Sequence, residues 1–331
     1  MSPCLRLPLL LLLLLQAAVS EGAAKAPWVE VKSPHFVAYT DAGEATAREL
    51  LQRFEGLREL LRSAFPQTQA APPRPLVLVI HRDQDSMKGF IPTLFEKGDF
   101  FRLGGAFLTS ASHRFALIPT DSGASVQRYQ TVIFHWYIHS LIQQSFPELP
   151  PWLEEGIASF YGVTEFKPNK VLVGQADTGF RIRLKSHPTT WIPMETLLTL
   201  PWDTLQDWSY DQATGFQVLS WTLVHYLWVD PEARKAGLFD AYMKALRAPG
   251  KEARTSAKAS LGDLLKLQNT LGLYLRKPML SYWTLPLLAR LEDKDLQVRS
   301  LDEAKVLVLR DECRQASAEW KDPCPLPKPW K

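Results

Sequence analysis

The stretch Phe134-His135-Trp136-Tyr137-Ile138-His139 decides how this chain is interpreted, because it places two histidines four residues apart. It lies inside a segment, Val126 to Ser145, whose apolar spacing predicts a helix. Residues four apart on a helix share one face, one turn above each other. Two imidazoles at that spacing can reach a single zinc ion. The stretch therefore predicts two metal ligands, His135 and His139.

A third ligand is predicted from the stretch that follows, Pro151-Trp152-Leu153-Glu154-Glu155-Gly156-Ile157-Ala158-Ser159-Phe160-Tyr161. The prolines at positions 150 and 151 break the first helix and start a second one at about Trp152. A second helix that turns back beside the first can bring one carboxylate to the two imidazoles, and Glu155 is placed to supply it. Histidine pairs also occur on helices that only pack into a core. The spacing alone therefore leaves both a metal site and a metal-free core pair open.

Both stretches resemble the gluzincin metallopeptidases, most closely the secreted bacterial proteins with a peptidase MA-like domain. His135-Trp136-Tyr137-Ile138-His139 stands where that family has HExxH, and Pro151 to Tyr161 is similar to its WLxEGxAxFY helix. Trp28 to Phe36 looks like the family's opening pair of strands. The resemblance runs from about Trp28 to Arg276. It implies a zincin-like α+β fold and one zinc ion held by His135, His139 and Glu155.

One residue departs from the family pattern, because Trp136 occupies the position where HExxH enzymes carry the general-base glutamate. In such enzymes the base takes a proton from zinc-bound water, whose pKa the metal lowers to about 7. An indole cannot accept that proton, and loss of an acid–base group typically costs about 10²–10⁴-fold in rate. We therefore assign no catalytic residue and expect an impaired metallopeptidase that retains zinc and binds a peptide or protein. Two alternatives stay open: an active zinc peptidase with a non-standard base, and a metal-free structural or interaction module.

The N-terminus has the pattern of a secretory signal peptide over residues 1–20. Arg6 precedes the leucine-rich run Leu7 to Leu15, and Ala18-Val19-Ser20 offers small residues for cleavage. The sequence therefore predicts an extracytoplasmic protein, either periplasmic or secreted. The rest of the chain has no second long apolar run, so the mature chain is predicted to lack a transmembrane segment. The formal net charge of +3 argues against nucleic acid as a partner.

Two of the three cysteines, Cys313 and Cys324, fall in the predicted mature chain. In an oxidising compartment such a pair predicts a disulfide that staples the Pro-rich tail to the last helix. Two unpaired thiols are the alternative.

The remaining pattern predicts an α+β fold: a small mixed sheet with a helix packed on it, followed by a mainly helical half. Its organisation is predicted as an α/β part over residues 21–124, a helical part with the metal-site motifs over 125–279, and a C-terminal extension over 280–331. Predicted strands and hairpin lie at 28–32, 35–40, 76–80 and 101–119, and a strand-like piece at Val306 to Leu309. Predicted helices, besides the two above, are Glu44 to Phe65, Gly215 to Val229, Arg234 to Arg247 and Leu261 to Arg276.

Overall fold

The structure is a computed structural model that describes residues 27–69, 74–96, 105–121, 126–176, 191–249, 253–288 and 290–319. The predicted signal segment and Cys324 lie outside these ranges. Over the described residues the chain has the predicted α+β fold, with a six-stranded sheet, a smaller three-stranded sheet and helices packed on the larger one.

The larger sheet is mixed, with parallel strands at its centre. Its strands, in the spatial order β4-β5-β3-β2-β1-β9, are β1 (Val29–Lys32), β2 (Val37–Thr40), β3 (Leu76–His81), β4 (Ala106–Thr109), β5 (Arg114–Pro119) and β9 (Gln297–Ser300). Strands β2, β3 and β5 run parallel to one another, and the other neighbouring strands are antiparallel. The predicted first pair of strands, central strand and hairpin are all present. The hairpin places β4 at one edge of the sheet.

Both faces of this sheet are covered by helices. Leu78 and Ile80 of β3 join the core beneath α1 (Glu44–Ala64). Val77 and Val79 point to the opposite core, beneath α2 (Gln84–Phe90), α3 (Pro92–Glu96) and α12 (Glu303–Ala318). A strand that is buried on both faces favours apolar residues on both, which explains the apolar run from Leu76 to Ile80 in β3.

The helical half begins with the two helices that carry the motifs, α4 (Val126–Ser145) and α5 (Pro151–Gly162), both where they were predicted. It continues with α6 (Met194–Thr199), α7 (Tyr210–Val229), α8 (Pro231–Lys235), α9 (Leu238–Leu246), α10 (Ala253–Ser260) and α11 (Leu264–Arg276). The single helix predicted from Arg234 to Arg247 is wrong. Gly237 adopts φ +64°, a left-handed conformation that separates α8 from α9.

The C-terminal part of the chain returns to both sheets. The smaller sheet joins β6 (Glu165–Phe166), β7 (Lys170–Val173) and β8 (Trp283–Pro286). Strand β9 pairs with β1 in the larger sheet. The strand-like piece predicted at Val306 to Leu309 is wrong, because these residues form part of α12. Among the described helices, none is long and apolar enough to cross a membrane.

Candidate metal centre

Helix α5 packs between α4 and α7, and small residues bring it close to both neighbours. A Cβ added at Gly156 would lie 2.6 Å from the carbonyl oxygen of Ser220 on α7. On the side of α4, a Cβ at Gly162 would lie 3.4 Å from the carbonyl oxygen of Thr131. This close packing brings the two motif-bearing helices into direct contact.

The three ligands predicted from the sequence converge on one point. His135 Nε2 lies 3.1 Å from His139 Nε2, and His139 Nε2 lies 3.2 Å from Glu155 Oε2. Glu155 Oε1 lies 3.5 Å from His135 Nε2, which closes the triangle. Tetrahedral ligands bonded to zinc at about 2.0–2.2 Å stand about 3.3 Å apart. These buried residues therefore form a group that can hold a metal ion.

Each of the three candidate ligands also has a hydrogen-bond partner outside the group of three. His139 Nδ1 donates to Glu154 Oε1 at 2.6 Å, and both side chains are buried. Glu155 Oε1 accepts a hydrogen bond from Ser159 Oγ at 3.1 Å. His135 has a hydrogen bond with the backbone of Ala158. Metal-binding histidines usually carry such outer partners, which fix the tautomer and the orientation of the ring.

The sequence predicted the three candidate ligands but not this outer layer. Glu154 stands directly before Glu155, and the pair of adjacent glutamates at the start of an apolar helix was the available signal. Both carboxylates are nearly inaccessible, since Glu154 is 4% exposed and Glu155 2%. Two buried carboxylates need compensating positive charge. A divalent cation placed among His135, His139 and Glu155 would supply it.

Without a metal ion, the two imidazoles differ in charge. Burial lowers the pKa of His135 to about 4, so this ring is neutral at pH 7. Burial alone would also lower the pKa of His139, but hydrogen bonds to Glu154 and Glu155 outweigh it and raise the pKa to about 9. A metal ion must therefore displace one proton from His139, so metal binding at neutral pH releases a proton.

Trp136 follows His135 directly on helix α4 and is buried. Its side chain is 1% exposed, and its ring centroid lies 6.2 Å from that of Phe107 on the edge strand β4. Among the described residues, its indole Nε1 has no hydrogen-bond partner. The indole therefore packs as an apolar body between α4 and the edge of the sheet, in the position where an HExxH enzyme has a carboxylate.

A second tryptophan lies against the ligands. The ring of Trp202, in the 3₁₀ helix Trp202–Asp207, stands edge-on to His139 with centroids 6.1 Å apart. Phe216 of α7 backs this ring at 6.3 Å. Trp202 covers His139 on this side, and the three candidate ligands are only 2–4% exposed, so water has little access to them and electrostatic interactions inside the cluster are strengthened.

Two other side chains that can titrate, His225 and Cys313, are buried. His225 is buried, and its ring nitrogens contact the Tyr274 hydroxyl at 2.8 Å and the Gly174 carbonyl at 2.9 Å. Cys313 is a buried thiol on α12, and burial raises its pKa. Because Cys324 lies outside the described residues, the predicted disulfide stays a prediction.

No protein-family model matches this chain, and no curated protein matches it. Its function is therefore inferred from the chemistry of the cluster itself.

Proposed function

We propose that this protein is an extracytoplasmic, gluzincin-like zinc protein that has lost ordinary peptidase activity and binds a peptide or protein segment. The observation that carries the proposal is the triangle of His135 Nε2, His139 Nε2 and Glu155 oxygens, with sides of 3.1 to 3.5 Å. Two nitrogens and one oxygen in this geometry are the donor set of a zinc site with three protein ligands.

The residues around the triangle support zinc more than a harder cation. Magnesium and calcium prefer six or more oxygen ligands, whereas this cluster offers two imidazoles and one carboxylate. Glu154 would hold His139 with Nε2 free to bind the metal, and Ser159 would orient the Glu155 carboxylate. A bound zinc ion would supply Lewis-acid chemistry to a group placed beside it.

We propose the loss of peptidase activity because Trp136 stands at the position of the general base. A buried indole cannot carry the proton that peptide hydrolysis must move from water to the leaving amine. Its bulk lies beside Phe107 of β4, between the ligand helix and the edge of the sheet. Because β4 is an edge strand among the described residues, its outer backbone groups can pair with an extended segment. This feature supports the binding of a peptide without requiring its cleavage.

Metal analysis tests the zinc site. Mature protein refolded with zinc and dialysed is expected to retain about one equivalent, and His139→Gln is expected to lose it. His113→Gln serves as the matched control, because His113 is partly exposed and contacts Glu312 at the far end of the hairpin. Only traces of zinc in the wild type would favour the metal-free module, and a zinc content unchanged by His139→Gln would place the metal outside this cluster.

A peptidase assay tests the second part of the proposal. The wild type is expected to show no chelator-sensitive cleavage of unstructured peptides. Trp136→Glu restores a carboxylate beside His135, whereas Trp136→Gln removes the same bulk without providing a base. We expect partial, chelator-sensitive cleavage from the first variant alone. Efficient chelator-sensitive cleavage by the wild type would instead make this an active peptidase with a non-standard base.

A further inference from the structure

A cleft of about 830 Å³ opens near the C-terminal end of α5 and shares no residue with the metal cluster. It is bounded by the ends of α1, α5 and α7, by α8 and α9, and by strand β8. Its volume falls within the range of about 300–1,000 Å³ that is usual for small-molecule sites. A body the size of an inorganic ion would leave most of it unfilled.

The wall of this cleft is aromatic and firmly supported. Trp228 of α7 and Trp283 of β8 stand nearly parallel, with ring centroids 6.0 Å apart and an interplanar angle of 21°. Phe239 of α9 meets Trp228 edge-on at 5.4 Å. Behind the two tryptophans, the fully buried Phe160 contacts each of them at 5.1 Å. The tryptophans are only partly buried, so they present a pre-ordered apolar surface to the cleft, which lowers the entropic cost of binding.

Positive charge lies at the mouth. Arg234 and Lys235, both on α8 and both exposed, line the cleft. In the part of the chain that the structure describes, neither side chain forms an ion pair. Asp240 of α9 also lines the mouth and brings one negative charge. The three charged side chains together leave a net positive charge beside the aromatic wall.

We propose that this cleft binds a small organic anion with a flat aromatic body, such as an aryl carboxylate or aryl sulfonate. The body would pack on Trp228, Trp283 and Phe239, since aromatic rings gain energy from stacked and edge-on contacts beyond their buried area. The anionic group would lie at Arg234 and Lys235, where a guanidinium can bind two acceptor oxygens at once. A neutral ligand would gain no electrostatic attraction from Arg234 and Lys235.

Two dyes of similar shape test the proposal on the full mature chain. Anilinonaphthalene sulfonate carries the anionic group, and N-phenylnaphthylamine lacks it. We expect saturable binding of the sulfonate by the folded wild type. Arg234→Gln/Lys235→Gln should weaken it roughly tenfold at low salt, and Asp240→Asn should strengthen it. Binding of the neutral dye should change by less than about twofold in all of these variants.

The control is Lys244→Gln/Arg247→Gln, which removes the same charge from exposed positions on and just after α9 that do not line the cleft. It should leave sulfonate binding unchanged. Equal weakening by both double variants would assign the effect to overall charge and overturn the proposal. Absence of saturable binding to the folded protein would overturn it too, as would identical responses of the two dyes. None of these readouts depends on zinc.

Discussion

Glu154 and Glu155 are neighbours in the chain, yet they contact opposite edges of the same imidazole. Glu154 Oε1 lies 2.6 Å from His139 Nδ1, and Glu155 Oε2 lies 3.2 Å from His139 Nε2. The sequence predicted a role in the metal site for Glu155 alone, and adjacent helical residues point about 100° apart. The two nitrogens of the His139 ring point in different directions, so the ring contacts both carboxylates. Its orientation depends on how α4 and α5 pack, and no local pattern encodes it.

At the residue scale, Glu154→Gln is expected to weaken zinc binding by about 10–100-fold, because the charge-assisted hydrogen bond that orients His139 is lost. Competition with a chelator of known affinity measures the change. Glu148→Gln provides the control, since Glu148 is exposed in the connection between α4 and α5. Equal affinities of Glu154→Gln and wild type would show that the outer carboxylate does not hold the ligand.

At the element scale, α12 shows where periodicity misleads. The apolar run Val306 to Leu309 has the composition of a strand, but the buried positions of the helix are Val306, Leu309, Cys313, Ala316 and Ser317. Leu307 and Val308 are 46% and 68% exposed. The run is four residues long, too short to separate a period of 2 from one of 3.6. The longer patterns of α1, α4 and α5 were predicted because they extend over several turns.

Close packing of α5 on α7 predicts the effect of Gly156→Ala. The added Cβ would lie 2.4 Å from Val224 Cγ2 and 2.6 Å from the Ser220 carbonyl oxygen. Overpacking of this kind typically costs about 1–3 kcal/mol of unfolding free energy. It should also shift the adjacent Glu155 and weaken zinc binding.

Gly272→Ala is the matched control for this variant, because its Cβ would meet only Trp191, at 3.8 Å or more. An alanine inside helix α11 should be neutral or stabilise by up to about 1 kcal/mol. Urea unfolding of both variants gives the comparison. An unfolding free energy of Gly156→Ala equal to that of the wild type would contradict the packing argument.

The predicted Cys313–Cys324 disulfide concerns how α12 is tied to the tail. Exported protein, denatured without reductant, is expected to contain no free thiol, and two after reduction. Denaturation is essential, because Cys313 is fully buried in the native state and would escape a reagent even if it were unpaired. Two reactive thiols before reduction would establish the unpaired alternative.

At the scale of the whole molecule, the α+β class and the order of the main elements followed from the sequence, whereas the course of the C-terminal part did not. Strand β9 pairs with β1 across more than two hundred residues of chain, with Val29 opposite Ser300. All four residues of β9 are exposed, so the strand lacks the alternating apolar pattern that marks a half-buried edge. Its position comes from backbone pairing with a distant partner.

Buried neutral histidines make the stability of the metal-free protein depend on pH. Desolvation lowers the pKa of His81 to about 3 and those of His135 and His225 to about 4. In the unfolded chain these histidines take up protons at about pH 6.5. The unfolding free energy that their neutral state contributes is therefore complete above that pH and is lost as the pH falls toward 4. Each contributes a slope of about 1.4 kcal/mol per pH unit in that window. His139, with its pKa raised to about 9, stays protonated there and adds little.

Urea unfolding with excess chelator should therefore show an unfolding free energy that decreases as the pH is lowered from about 7 to about 5. His225→Asn should reduce the slope by about 1.4 kcal/mol per pH unit, whatever it does to the absolute stability. The slope is the informative quantity. A slope unchanged by this substitution would mean that His225 is not held neutral in the folded state.

Glu154, Glu155, Ala158 and Ser159 all belong to the twelve-residue helix α5. One rigid body therefore supplies the third ligand and the outer partners of all three, while α4 supplies both imidazoles. A cation held between these helices would not escape by the release of one ligand at a time. Its residence time would be set by the rate at which α5 separates from α4, a sub-global opening of the folded protein rather than a coordination event.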